Sequence, residues 1–248
     1  MNGYGRGILG LPPVVKNIIM INVLMILAYY AANSVFDIDL NSLLGLYFPK
    51  SEQFKPLQIV THMFMHGNFF PHLFFNMYAL FIFGPILENV WGPKRFFIFY
   101  MVCGLGAAFT HESVIFFQYN HLIQSLSPEN VQAVLTEGTA YFHQGKVFTD
   151  PDMQSLQLLL NTPTVGASGA IFGVLLAFGV LFPNTQLMLL IPPMPIRAKY
   201  LVLGYGALEL FLAVTQPGSN IAHAAHLGGM LFGYLLIRYW RKTTNTLY

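Results

Sequence analysis

Ser168 is the residue of this chain whose neighbours most favour nucleophilic chemistry. It stands in the run Gly166-Ala167-Ser168-Gly169, so no large adjacent side chain shields its hydroxyl. A serine hydroxyl is a weak nucleophile, and an imidazole at hydrogen-bond distance can remove its proton and later return it to a leaving group. The run has a second interpretation, because small residues at this spacing are common where membrane helices pack closely. The choice between the two depends on which other residues lie at the same depth.

Imidazole and amide side chains that could act with a serine occur in two other segments. His72 and Asn76 stand four residues apart, so on a helix both lie on one face. Their donors suit the oxyanion that forms when a carbonyl is attacked, and His226 suits the general base. His62 and His66 are also four residues apart and could suggest a metal pair. No third ligand and no His-Glu-x-x-His pattern accompanies them, so we predict no metal and no other cofactor.

The composition predicts that these residues lie in a membrane. Of the 248 residues, 55% are hydrophobic and 9% are charged, whereas a soluble domain carries roughly 25% charged residues. Long apolar runs favour a polytopic membrane protein surrounded by the lipid bilayer. The formal net charge of +2 says little by itself, and we predict no nucleic-acid partner. The single cysteine, Cys103, excludes an intramolecular disulfide.

The apolar runs predict an all-α helix bundle with six transmembrane helices, forming a single domain over residues 1–248. Each run is long enough to cross a bilayer, at roughly 17 to 25 residues. The predicted spans are residues 16–32, 72–90, 95–119, 164–182, 198–214 and 220–239. Two long loops, residues 33–71 and 120–161, follow the first and third spans. Within the second loop, helices are predicted to begin near Ser127 and Asp150, each followed by proline.

The basic residues predict the orientation of these spans. With both termini on one side, nine of the twelve lysines and arginines fall on that side and three on the other. The positive-inside rule then places both termini in the cytoplasm. Spans two, four and six all begin on the outer side. His72, Ser168 and His226 therefore lie at a similar shallow depth, facing the outer side of the membrane.

Small residues predict that the fourth and sixth spans meet. His226, Gly229 and Gly233 lie on one helix face, and Gly166 and Gly169 offer a similar surface near Ser168. Two such stripes allow close packing. If they meet, the serine and the histidine come within reach of each other.

Glu209 lies inside the fifth predicted span. A carboxylate in a membrane is expensive and should face protein or a water-filled cavity. It is either a protonated or hydrogen-bonded packing residue or a catalytic group, and the sequence leaves both open.

These residues resemble the motifs of the rhomboid family of intramembrane serine proteases. The matching residues are His72, Asn76, Gly84, Glu88, Gly92 and Arg95 in and after the second span, Gly166, Ser168, Gly169 and Phe172 in the fourth, and His226, Gly229 and Gly233 in the sixth. The chain departs from the family in its first loop, where Phe54-Lys55 is the nearest match to a Trp-Arg pair. The loop between spans three and four is also longer than in the simplest members.

The resemblance implies a role for each matched residue. The family uses a Ser-His dyad with no aspartate in the charge-relay place, so Ser168 is the expected nucleophile and His226 the expected general base. His72 and Asn76, together with the Ser168 backbone amide, are similar to the family's oxyanion hole. Phe172 stands where the family often packs an aromatic ring on the catalytic histidine. Glu88 and Arg95 resemble structural residues of the family, and His223 is assigned no catalytic role.

The expected function is that of an intramembrane serine endopeptidase that cleaves peptide bonds in or near transmembrane segments of substrate proteins. The expected location is a bacterial inner membrane, with the active site opening to the outer side. A first alternative is a catalytically idle rhomboid-like protein that binds client membrane helices. A second alternative is a small transporter. Two observations argue against it: Glu209 is the only candidate for a buried carboxylate, and no inverted repeat is visible in the sequence.

Overall fold

The computed structural model of the chain describes residues 10–188, 193–216 and 222–243. The helices of this part are α1 (Pro13–Phe36), α2 (Leu40–Leu44), α3 (Gln58–Thr61), α4 (Phe70–Ser125), α5 (Pro128–His143), α6 (Pro151–Asn161), α7 (Ser168–Leu181), α8 (Ala198–Thr215) and α9 (His223–Thr243). A 3-10 turn, His62–Phe64, precedes α4, and β1 (Gln186–Met188) pairs antiparallel with β2 (Pro195–Arg197). The predicted all-α fold is confirmed.

Helix length and hydropathy place this fold in a membrane. Among the described residues, α1, α4 and α8 are long and apolar enough to cross a bilayer, and α7 is apolar but has 14 residues. The helical membrane bundle predicted from composition is therefore confirmed, while the count of six spans stays a prediction. The first, fifth and sixth predicted spans overlap α1, α8 and α9. Residues 220 and 221 of the sixth predicted span lie outside the described residues.

Gly92 joins the second and third predicted spans within α4. Its φ of 75° and ψ of 164° are non-helical and fall in a region that is almost confined to glycine. Pro93 follows it, and proline disfavours a helical conformation in the residue before it. Residues 72–90 and 95–119 are thus two limbs of one bent helix. The positive φ at this bend explains the glycine, because residues with a Cβ rarely adopt it.

Glu88 and Arg95, the residues expected to be structural, tie these two limbs to other helices. The carboxylate oxygens Oε1 and Oε2 of Glu88 accept hydrogen bonds from the backbone N–H groups of Val14 at 2.9 Å and Val15 at 2.8 Å. These donors belong to the first turn of α1, which has no intrahelical acceptor for them. The Arg95 guanidinium lies 5.9 Å from the ring centroid of Trp240 on α9.

The centre of the bundle is formed by α4, α7 and α9, which pack against one another. Large buried side chains of α4, such as Phe96 and Phe99, fill the interior. α7 meets α4 through small residues instead. A Cβ atom at Gly173 would lie 2.4 Å from Sγ of the fully buried Cys103. The single cysteine therefore serves as a core residue where these two helices are closest.

Residues 120–161, predicted as a loop, are mostly helical. α4 continues to Ser125, and α5 and α6 occupy most of the remainder. The two predicted helix starts are confirmed, because Ser127 Oγ accepts from Asn130 N at 3.2 Å and Asp150 Oδ1 accepts from Met153 N at 2.9 Å. Such caps satisfy backbone donors that have no acceptor within the helix. A small separate cluster of buried apolar residues joins these two helices to Phe48 of the first loop.

Candidate functional site

Ser168 is the first residue of α7. The helix begins four residues after residue 164, the predicted start of span four, so the serine lies at the helix start and not one turn inside it. The delay has a backbone cause: Thr164 exchanges two hydrogen bonds with Leu46, at 2.9 and 2.8 Å, as in a short antiparallel bridge. Gly166 then turns the chain with a φ of 130°, which side chains with a Cβ rarely adopt. This turn brings the serine to the open end of the helix.

The hydroxyl of Ser168 meets the imidazole of His226, which lies in the first turn of α9. The distance from Ser168 Oγ to His226 Nε2 is 2.8 Å, a good hydrogen-bond length. The ring of Phe172, one turn along α7, stacks on the imidazole with a centroid distance of 4.2 Å and an interplanar angle of 8°. His226 is 8% exposed. The imidazole is thus held between an aromatic plane and the hydroxyl.

Glycines of α7 and α9 set the distance between these helices. A Cβ atom at Gly229 would lie 1.8 Å from the backbone oxygen of Gly169, which is far inside van der Waals contact. One α-helical turn further, a Cβ atom at Gly233 would lie 3.4 Å from Cα of Gly173. The two backbones therefore touch directly beside the serine and the histidine, as close helix packing through small residues allows.

His72 and Asn76 reach the same region from the start of α4. A Cβ atom at Gly166 would lie 2.8 Å from His72 Cε1 and 3.7 Å from Ser168 Oγ, so this glycine lies between the two side chains. Asn76 is 6% exposed, and its Nδ2 donates to no acceptor among the described residues. The first backbone N–H groups of α7 also lack intrahelical acceptors, and they form the positive end of the helix dipole. Negative charge at this point would meet several donors.

Glu209 is the residue of this site whose place the sequence left open. Its Oε2 lies 2.6 Å from Nδ1 of His223, in a hydrogen bond, and 3.0 Å from Nδ1 of His226, outside hydrogen-bond geometry. All three residues are buried. Their ligand atoms lie within 4.8 Å of one another, so within the described ranges they form a group close enough to hold a metal ion. An isolated carboxylate in an apolar span signalled Glu209, but nothing in the sequence joined it to His226.

His62 and His66 have different surroundings from those of a metal pair. Nδ1 of His62 lies 2.9 Å from Gln58 O, and its backbone oxygen accepts from Gly166 N at 2.9 Å. The His66 ring meets the His72 ring edge-on at 5.1 Å. Burial lowers the pKa of both, that of His66 to about 3, so both imidazoles are neutral. They support the segment before α7 and the ring of His72.

Fold and site together define a helical membrane protein with a serine–histidine pair between its central helices. Residues 53–243 match the Rhomboid domain, and the chain therefore belongs to the rhomboid family.

Three relatives illustrate the extent of the similarity. The chain is 28% identical over 189 residues to Rhomboid protein 1, mitochondrial, of Saccharomyces cerevisiae, an alignment that covers 76% of this chain and 43% of that protein. It is 28% identical to Rhomboid protease AarA of Providencia stuartii, over 70% of this chain and 52% of that protein. It is also 28% identical to Putative rhomboid protease YdcA of Bacillus subtilis, over 72% of this chain and 64% of that protein. The chain thus matches only part of the length of each relative.

Proposed function

We propose that this chain is an intramembrane serine endopeptidase. The observation that carries the proposal is the 2.8 Å contact between Ser168 Oγ and His226 Nε2 at the start of α7. Membership of the rhomboid family supports it, as do the relatives that are named proteases. Close packing alone would account for small residues near the serine, but it does not require an imidazole nitrogen on the hydroxyl.

In the proposed reaction His226 acts as the general base and Ser168 as the nucleophile. Nε2 takes the hydroxyl proton while Oγ bonds to the carbonyl carbon of the scissile peptide. The tetrahedral intermediate then collapses, the carbon–nitrogen bond breaks, and Nε2 returns the proton to the leaving amine. Water, activated by the same nitrogen, attacks the acyl-enzyme, and the second product leaves as a carboxylic acid with Ser168 restored.

The developing oxyanion would be stabilised by donors around Gly166. The backbone N–H of Ser168 points from the free end of α7, and Asn76 Nδ2 has no other acceptor within the described part. His72 approaches from the opposite side of Gly166. Preorganised donors of this kind stabilise the charge of the intermediate more than the uncharged carbonyl. We propose that Phe172, which stacks on His226, fixes the orientation of the imidazole ring.

The substrates we propose are transmembrane proteins, cleaved in or near their membrane segments. A hydrogen-bonded helix hides its backbone carbonyls, so helices with small or helix-breaking residues near their outer end are favoured. We propose six spans with both termini in the cytoplasm and the site opening outward, following the distribution of basic residues. We propose the bacterial inner membrane as the location of the protein. The relatives named above include a mitochondrial protein and bacterial ones, so membrane fractionation is the test of this location.

A serine-reactive phosphonate tests the central step without knowledge of the substrate. The protein in lipid bilayers is exposed to the probe, and the labelling of wild type is compared with that of Ser168→Ala and His226→Ala. Matched controls are Ser113→Ala and His143→Ala, which remove a hydroxyl and an imidazole elsewhere on α4 and α5. We expect wild type and both controls to label and the two site variants to remain unlabelled.

Two results would direct the work elsewhere. If folded wild type fails to label, the alternative of an idle rhomboid-like protein that binds client helices takes precedence. If Ser168→Ala labels like wild type, Ser168 is not the nucleophile. The mechanism assigns every proton to a side chain and uses no metal, so we also expect labelling to persist in a chelator.

A further inference from the structure

We infer that Glu209 is a positioning residue for His226, so that the site is a Ser168–His226–Glu209 relay. The inference rests on the proposed function and deepens it. The resemblance to the family implies a dyad without an acidic third member, and this chain departs from that pattern. The residue belongs to α8, whose Tyr205 also meets the ring of Phe172 edge-on at 6.2 Å.

The geometry places one carboxylate oxygen beside the nitrogen that faces away from the serine. His226 Nε2 lies 2.8 Å from Ser168 Oγ, and on the opposite side of the ring His226 Nδ1 lies 3.0 Å from Glu209 Oε2. The order hydroxyl, imidazole, carboxylate is the one that serine hydrolases use to orient a general base. Catalytic hydrogen bonds are often poorly aligned before substrate binds, as is the contact to Glu209 here.

A buried carboxylate requires partners, and among the described residues this one has two imidazoles beside it. Glu209 is 7% exposed, and the contacts of its Oε2 among the described residues are Nδ1 of His223 and Nδ1 of His226. A carboxylate accepts and does not donate when ionised. An ionised carboxylate oxygen repels the lone pair of an imidazole nitrogen, so the relay places hydrogen on both Nδ1 atoms, on His223 in the 2.6 Å hydrogen bond and on His226 in the 3.0 Å contact. Since a neutral imidazole has one N–H, His226 Nε2 is then left as the acceptor that the Ser168 hydroxyl needs.

The carboxylate would act again when the reaction begins. Removal of the Ser168 proton turns His226 into an imidazolium, whose new charge lies on a side chain that is 11% exposed. A nearby negative charge stabilises an imidazolium most where water is excluded. In the resting state the imidazole of His226 is neutral, so Glu209 has no such charge to stabilise. The contact thus favours the transition state over the ground state.

A purely structural role is the competing explanation. The 2.6 Å hydrogen bond from His223 to Glu209 joins α9 to α8 and could account for the buried carboxylate by itself. In that case loss of either partner should loosen the helices equally. A relay predicts instead that Glu209 matters more than His223. Glu209 Oε2 lies 3.0 Å from Nδ1 of the imidazole that bonds the serine, whereas the His223 ring meets that imidazole edge-on with centroids 6.4 Å apart.

Rates of phosphonate labelling separate the two roles. The full chain in lipid bilayers is compared as wild type, Glu209→Asp, Glu209→Gln and His223→Gln, with thermal unfolding measured on each. Glu112→Gln is the matched control, since it makes the same change in a carboxylate on a different helix, α4, whose two oxygens are also buried. We expect Glu209→Gln to lower the labelling rate about 10²- to 10⁴-fold, the range typical of such a change. Glu209→Asp should recover part of that rate, His223→Gln should lose about tenfold or less, and the control should equal wild type.

A parallel loss would overturn the inference. If the Glu209 and His223 variants lose rate equally and in step with their unfolding temperature, Glu209 has a structural role only. The inference is also overturned if Glu209→Gln labels as fast as wild type.

A second measurement does not depend on activity or on the folding of a variant. Nitrogen-15 NMR of histidine-labelled wild type and Ser168→Ala, with His226 assigned by its substitution, reports which ring nitrogen carries hydrogen. The inference requires hydrogen on Nδ1 in both proteins, because Glu209 and not Ser168 sets the tautomer. Hydrogen on Nε2 would overturn it. If wild type fails to label while the Nδ1 tautomer is found, the proposed function fails and the placement of Glu209 stands.

Discussion

Replacing Gly229 by alanine should separate the serine from the histidine without altering either. The added Cβ would lie 1.8 Å from the backbone oxygen of Gly169, whereas ordinary contact begins at 3.4 Å. A flexible side chain could rotate away, but a backbone oxygen within a helix cannot. The helices α7 and α9 must therefore move apart by about 1.6 Å, the difference between those two distances.

This displacement acts almost directly on the site. Gly169 is the neighbour of Ser168, and Gly229 lies one helical turn after His226. If the shift is transmitted in full, the 2.8 Å contact between Oγ and Nε2 opens to about 4.4 Å, beyond hydrogen-bond range. A misplacement of about 1 Å can cost about 10²-fold in rate. Overpacking of this kind also lowers the free energy of unfolding, by about 1–3 kcal/mol.

The assay combines the phosphonate labelling rate with thermal unfolding, for a graded series of glycine variants. Gly229→Ala should be the most affected. Gly233→Ala should be milder, because its Cβ would meet the side chains of Cys103 and Phe99 at 3.1 Å. Gly204→Ala is the control, since its Cβ would meet nothing within 4 Å, and alanine favours the helix. A wild-type rate and stability in Gly229→Ala would refute the argument that backbone contact holds the pair together.

Three further predictions concern other residues. Asn76→Ala should lower the labelling rate about 10²- to 10³-fold while His226 stays stacked, as expected for one oxyanion donor, and an unchanged rate would exclude that role. Glu88→Gln should lower the free energy of unfolding by about 1–3 kcal/mol, because the amide NH2 cannot accept one of the two hydrogen bonds from the start of α1 and the amide oxygen accepts the other without charge; the exposed Glu52→Gln should change little. Burial lowers the pKa of His66 to about 3, so between pH 6.5 and about 3 the unfolded chain binds a proton that the folded chain does not. Stability should therefore fall as the pH drops through that window, and His66→Leu should flatten the fall measured by thermal unfolding.

Much of the fold was predictable because the signals are local. Apolar runs mark membrane helices, and serine or aspartate before proline marks the starts of α5 and α6. The limits of α4 and α7 were less predictable. Gly92 bends α4 rather than ending it, and the start of α7 depends on a backbone bridge between Thr164 and Leu46, which are far apart in sequence. Pairing of that kind leaves no mark in the periodicity of either segment.

The candidate site divides in the same way. Counting the predicted spans places His72, Ser168 and His226 at one predicted depth, and the glycine pattern indicates which helix faces can approach. The contact of Glu209 with His226 could not be predicted, because it depends on how α8 is rotated against α9. A single carboxylate in an apolar helix shows that a partner is needed but not which one.

The two interfaces of α9 control different properties of one imidazole. The contact with α7, made backbone to backbone at Gly229, sets the distance from His226 to the serine. The contact with α8, made through Glu209, sets which nitrogen of that imidazole accepts the hydroxyl proton. α8 is also less enclosed than α4: 17% of its 18 residues are buried inside the protein, compared with 39% of an apolar stretch of equal length in α4. A displacement of α8 would thus withdraw the carboxylate while leaving the Ser168–His226 distance unchanged, so activity could be lost at an intact serine–histidine pair.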